Sequence, residues 1–183
     1  GVIFCRADRS DINSLAELRG KSFIAVDETS FCWRAAGKEL KDIGIDPYRD
    51  FTGMRFGQTH DAVVYAVRDG MADAGTVRTD ALERMAEEGK IDLHTFRILN
   101  PRQVEGFPFA LSTRLYPEWP FARVGHANDE LAQKVAIALL RMPPESLAAK
   151  AGRIAGWTIP LDYQPVHELM KDLRVGPYEN YGR

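Results

Sequence analysis

The sequence predicts an α/β domain built on a largely parallel sheet. Short apolar, strand-like runs alternate with helical segments through the first half of the chain. Each predicted helix in that half stops at a glycine: Gly20, Gly44, Gly70 or Gly89. The composition, 45% apolar and 27% charged over 183 residues, is that of a chain that folds around a core.

Gly1–Arg6 is a short apolar run with strand character. Ser14-Leu-Ala-Glu17 has capping-box form, with Glu17 placed to reach back to the start of a short helix. Phe23–Asp27 reads as a buried strand, and a helix follows from Phe31 to Ile43. Phe51–Phe56 is a weaker strand, Asp61–Asp69 a helix and Ala72–Thr76 the next strand. Asp80-Ala-Leu-Glu83 then opens a further helix.

The second half breaks the alternation. Phe96–Leu99 and Phe109–Ser112 are predicted strands, joined by a connection rich in Pro and Gly. Tyr116–Phe121 is an aromatic, proline-punctuated loop. Asn128 caps an amphipathic helix through Leu140, with Asp129 and Glu130 favourably placed in its first turn. Pro143-Pro144 end it. A helix to about Ala151 and another over Pro165–Leu173 complete the chain.

A net charge of -2 argues against a nucleic-acid partner and against binding to an acidic membrane surface. No apolar run approaches the ~20 residues of a bilayer span. The chain opens at Gly1 directly on a strand, so a segment is expected to precede it. Two cysteines, Cys5 and Cys32, are too few for a disulfide scaffold or a zinc site. One bridge or two buried thiols are both compatible with them. G-x-S-x-G, H-E-x-x-H, P-loop and G-x-G-x-x-G motifs are absent, and the spacing of Cys32 and His60 does not support a dyad. A binding module without cofactor or metal is expected, not an enzyme.

In open α/β sheets, ligands bind beyond the carboxyl ends of the strands. Three polar segments occupy strand-to-helix junctions of that kind: Thr29-Ser30, Gln58-Thr59-His60 and Thr76–Asp80. A helix start offers N–H groups and partial positive charge, which suits a small oxyanion. The hydroxyls of Thr29, Ser30 and Thr59 add donors, and His60 and Arg78 are potential cations. Blander roles compete for each. Thr and Ser at helix starts are commonly plain caps, His60 can be structural, and Arg78 can be a solvated charge. Asp73 reads as a structural hydrogen-bonding group and Trp33 as core.

These residues also carry a resemblance. Gly1–Arg6, Ser14–Lys21, Phe23–Asp27 with Thr29-Ser30, Gly44-Ile-Asp-Pro47, Gly57–Ala62 and Gly70–Gly75 resemble, in order, PhnD-like phosphonate-binding proteins. Leu115–Phe121, Ala136–Leu140, Gly156–Pro160 and Gly176-Pro-Tyr178 are similar to sensor regions of membrane histidine kinases of the tetrathionate-sensor type. The resemblance implies a type II periplasmic-binding-protein fold, two α/β lobes with a hinge and a cleft. Residues 8–92 would form lobe two. Residues 1–7 and 93–183 would belong to a lobe one whose N-terminal part is missing.

The resemblance further implies a small anionic ligand: phosphonate, phosphate or a sulfur oxyanion. It implies a periplasmic location, anchored at the inner membrane. The partners would be a downstream transmembrane helix and kinase domain, or an ABC permease. Thr29, Ser30 and His60 match the family's anion-binding positions, and Asp80 falls near an acidic position that meets a substrate amino group in phosphonate binders. Phe31-Cys32-Trp33 stand where the family carries a glycine, so Phe31 would narrow the pocket and favour an anion other than phosphonate.

Overall fold

The computed structural model describes residues 1–117 and 119–182. Glu118, within the aromatic loop, and Arg183 lie outside the described residues. Two compact units are present: residues 1–115 with the segment from Val166 onward, and residues 116–165.

The first unit holds one five-stranded sheet. Its strands are β1 (Val2–Arg6), β2 (Ser22–Ala25), β3 (Gly53–Phe56), β4 (Ala74–Val77) and β5 (Phe96–Leu99), in the order β3-β2-β4-β1-β5. Helix α1 (Phe31–Asp42), a single turn α2 (Pro47–Asp50), α3 (His60–Arg68) and α4 (Ala81–Glu87) connect them, and α7 (Gln164–Leu173) returns to this unit.

The sheet is mixed rather than largely parallel. Strand β2 is parallel to β3 and β4, whereas β1 is antiparallel to both β4 and β5. The cause lies between Arg6 and Ser22, where the chain forms only a 3-10 turn, Leu15–Leu18. Without a crossover helix the chain re-enters at the edge it left, and strand direction reverses. Strands β1 and β5 fall outside residues 8–92, yet both are hydrogen-bonded into this sheet.

Alternation along the strands builds a core on each face. Ile3, Cys5, Phe23 and Ala25 pack with Trp33, Ala36 and Leu40 of α1. Val2, Phe4 and Ile24 face the other way, onto Val63 and Val67 of α3 and Leu82 and Met85 of α4. Gly75 permits the close approach of α3 to the sheet: a Cβ there would lie 3.0 Å from the Ile24 carbonyl oxygen and 3.1 Å from Val63 Cγ1. Gly75→Val is expected to lower stability by about 1–3 kcal/mol, the usual cost of overpacking, read as a lower urea midpoint.

The local signals at helix ends hold. Glu17 Oε2 accepts the N–H groups of Asn13 (2.6 Å) and Ser14 (2.9 Å). Gly20, Gly44, Gly70 and Gly89 all take positive φ. The strand expected over Phe109–Ser112 does not form; Leu111 makes a single bridge to Arg102. The Ser112 hydroxyl instead sits between β1 and β5, accepting from Ile3 N–H (2.8 Å) and donating to the Leu99 carbonyl (2.6 Å). The Ser112 N–H also donates to the Gly1 carbonyl (3.0 Å), so the segment is tied to the start of β1 without adding a strand to the sheet.

The second unit contains α5 (Asp129–Leu140) and α6 (Leu147–Gly152). Asn128 Oδ1 accepts from Leu131 N–H (3.0 Å), and Ser146 Oγ accepts from Ala149 N–H (3.1 Å). Phe121 and Trp157 meet edge to face with ring centres 5.7 Å apart. No residue of α5 is buried, and its apolar residues Leu131 and Ile137 are at least half exposed.

Candidate functional site

Because β2, β3 and β4 run parallel, their carboxyl ends share one sheet edge. The three polar junctions therefore lie together. Gly57 N–H donates to the Ala25 carbonyl (2.8 Å) and Gln58 N–H to that of Val26 (2.7 Å), tying the second junction to the first. Arg78 N–H donates to His60 Nδ1 (3.3 Å), tying the third to the second. The start of β1 reaches the same edge, with Val2 opposite Val77.

At the first junction the hydroxyls are already engaged. Thr29 donates both its N–H (2.7 Å) and its hydroxyl (2.5 Å) to Asp27 Oδ1. The Ser30 hydroxyl donates to the Asp27 carbonyl (2.8 Å) and does not cap α1. Those Thr29 bonds hold the Asp27 carboxyl below the usual carboxylate range. Phe31, partly buried, opens α1, and Cys32 behind it is buried. Asp27 is a member of this junction that the residue pattern did not single out. An Asp two residues before a Thr is the Asx-turn signal that would have found it.

The second junction is better placed to donate. Thr59 Oγ1 caps α3 by accepting from Ala62 N–H (3.1 Å), which leaves its own proton to give. His60 accepts at Nδ1, so the neutral ring carries its proton on Nε2. Burial pushes the His60 pKa down, and the nearby Arg78 charge pushes it further. His60 therefore acts as a neutral donor at pH 7, in contrast to the cation considered from sequence.

At the third junction, Arg78 forms a bidentate pair with Asp80 (3.0 and 3.1 Å). Asp80 does not cap α4; its backbone is left-handed, with φ 77°, and Gln58 at the second junction has φ 66°. Two non-glycine residues held in this costly region flank His60, as strained backbone commonly does at working sites. The neighbouring Glu83 was also not foreseen. Its Oε1 accepts from Ala110 N–H (2.7 Å), while its buried Oε2 has no partner.

The remaining polar candidates resolve into structure. Burial opposes ionisation of Asp73, but the Ser22 N–H (2.8 Å) and hydroxyl (2.7 Å) and the Arg9 guanidinium outweigh it and hold the carboxyl low. Trp33 is core, packed against Phe23. Cys5 and Cys32 are both buried and are not joined by a disulfide.

The depressed His60 pKa has a consequence for stability. The unfolded chain takes up its proton at the ordinary value of 6.5, before the folded protein does. The His60 contribution is complete above about pH 6.5 and is lost as pH falls through the lower folded value. Urea midpoints measured at pH 5, 6 and 7.5 are expected to fall toward acid less steeply in His60→Asn than in the parent.

An α/β unit with its polar junctions gathered beyond the carboxyl ends of parallel strands has the arrangement at which open α/β sheets bind ligands. The family model for the periplasmic substrate-binding protein of phosphonate ABC transporters matches residues 1–164, and the chain belongs to that family. It is 35% identical over 179 residues to the tetrathionate sensor histidine kinase TtrS of Salmonella typhimurium, a match over 97% of this chain. The chain spans 29% of that kinase.

Its fold matches PhnD1 from Prochlorococcus marinus, solved with methylphosphonate, at a TM-score of 0.68 and 15% identity. That match covers 94% of this chain and 66% of PhnD1. An ATP-bound protein from Xanthomonas citri matches at 0.61 and 20% identity, over 93% of this chain and 62% of its own. A phosphonate-transporter binding protein from Pseudomonas aeruginosa matches at 0.62 and 15% identity, over 92% of this chain and 55% of its own. The chain is thus a periplasmic-type substrate-binding domain with a sensor-kinase relative. Among the described residues no helix is long and apolar enough to cross a membrane.

Proposed function

We propose that this domain is the extracytoplasmic sensor of a membrane histidine kinase and that it recognises a small oxyanion. The observation that carries the sensor reading is the 35% identity to TtrS along nearly the whole chain. The anion reading is supported by the gathered junctions. Thr59 and His60 donate neutral hydrogen bonds, Arg78 supplies charge, and Thr29 and Ser30 stand at the start of α1. Residues 8–92 would serve as one lobe. Residues 1–7 and 93–183 would carry the chain to the other lobe, and closure on the ligand would shift the population passed to a downstream transmembrane helix and kinase.

The protein's own carboxylates hold the donors. Asp27 takes Thr29 and Asp80 takes Arg78. An entering anion replaces both carboxylates as the acceptor for these donors. A sulfur oxyanion such as tetrathionate fits the sensor reading, and phosphonate or phosphate fits the family. The family description supports a second reading, a substrate-binding component working with an ABC permease.

The full-length gene product in proteoliposomes separates the two. Autophosphorylation that changes when tetrathionate, phosphate or methylphosphonate is added on the domain's side supports the sensor. A protein that binds anion but incorporates no phosphate from ATP is the transporter component.

A further inference from the structure

We propose a second binding site, for a small monocarboxylate with an aromatic body, in the groove between α1 and the α2 turn. The groove encloses about 530 Å³, within the range of small-molecule sites. It is lined on one side by Arg34, Gly37 and Lys41 of α1 and on the other by Tyr48, with Leu173 closing it.

Three features point to a ligand. First, Arg34 Nε is buried and has no hydrogen-bond partner, although the guanidinium groups of Arg9, Arg19, Arg78, Arg84 and Arg102 are all paired with carboxylates. A buried N–H left unpaired is costly, and a carboxylate oxygen is the acceptor that relieves it. Second, Gly37 lies in the middle of a twelve-residue helix, where glycine is unfavourable relative to alanine. A Cβ there would meet nothing within 4 Å. No close approach of backbone explains this glycine, and its absent side chain leaves the groove floor open.

Third, the charge of the lining selects the ligand. Arg49 is paired with Asp50, Lys41 donates to the Asp172 carbonyl, Glu28 accepts the Tyr48 hydroxyl and Asp46 caps the α2 turn, so Arg34 is the lining cation left to meet a single carboxylate. The Tyr48 ring and the Ile45, Leu173 and Val175 side chains supply apolar walls for the body of the molecule. A multiply charged inorganic anion matches neither the one unpartnered Arg34 Nε nor these walls. The site is therefore separate in chemistry from the oxyanion edge, and it stands whether or not that edge binds as proposed.

Titration of the full-length protein with benzoate and indole-3-acetate, followed by tryptophan fluorescence and calorimetry, tests the site. Acetate and inorganic phosphate are the comparison ligands. Saturable binding of an aromatic carboxylate is expected, at least tenfold weaker in Arg34→Gln and in Gly37→Leu and unchanged in Arg78→Gln. Arg34→Gln keeps the test decisive if Gly37→Leu fails to fold. Absence of binding to the folded parent protein, binding unchanged in Arg34→Gln, or loss in Arg78→Gln would overturn the proposal.

Discussion

Replacing Arg78 with glutamine is expected to weaken binding of a small oxyanion by roughly ten- to 150-fold. A hydrogen bond to a charged group contributes about 1.5–3 kcal/mol, and each 1.4 kcal/mol is about tenfold in affinity. Arg78 stands at the third junction with its backbone N–H donating to His60 Nδ1 and its guanidinium on Asp80. Asp80→Asn should act in the opposite direction. The bidentate pair of Arg78 and Asp80 must open before Arg78 can grip a ligand. Removing the Asp80 charge leaves the guanidinium without its internal competitor, and the affinity for anions should rise. Calorimetric titration of the two variants beside the parent distinguishes the cases. If Asp80→Asn weakens anion binding, Asp80 contributes to the ligand rather than competing with it.

Phe4→Ala is expected to cost about 3–5 kcal/mol of folding stability, the range for deleting a large core aromatic. Phe4 is 0% exposed at the centre of β1. Its ring meets Phe96 edge to face, with centres 5.5 Å apart, and shares its cluster with Val63 and Met85. That face carries α3 and α4, whose first turns present His60 and follow Asp80. A cavity beneath them should loosen the site as well as the fold. Phe4→Leu keeps most of the volume and should cost less than about 1.5 kcal/mol. Urea unfolding gives both values. Equal losses for the two substitutions would show that the Phe4 environment is already loosely packed.

Local signals were legible in the residue pattern because they depend on neighbours in sequence. Ser14 with Glu17, Asn128 before α5 and the glycines after the helices appear where their chemistry places them. The gathering of Thr29, Thr59, His60 and Arg78 at one edge also followed from strand–helix alternation, since parallel strands end at the same side. The direction of β1 did not follow. An apolar alternation is the same read either way, and the reversal was decided by the missing crossover helix before β2. The strand expected at Phe109–Ser112 failed for a similar reason. Its apolar character was clear, but the segment is fixed by single contacts, the Leu111 bridge to Arg102 and the Ser112 hydroxyl on Ile3 and Leu99, rather than by a ladder.

The site showed the same division. Residue types at the junctions were readable; their partners were not. Thr29 looked like a donor awaiting an anion, and its hydroxyl is committed to Asp27. Arg78 and Asp80 looked like two separate site charges, and they bind each other. His60 looked like a potential cation, and burial beside Arg78 keeps it neutral. Each outcome is a choice among competing polar partners, made by three-dimensional proximity and desolvation rather than by sequence spacing.

Calorimetric titration of the full-length protein with tetrathionate, thiosulfate, sulfate, phosphate and methylphosphonate tests the central claim most directly. Saturable one-to-one binding of at least one of these anions is predicted, weakened in Arg78→Gln. A correctly folded protein that takes up none of them would contradict the assignment of the Thr29, Thr59, His60 and Arg78 edge as an oxyanion site.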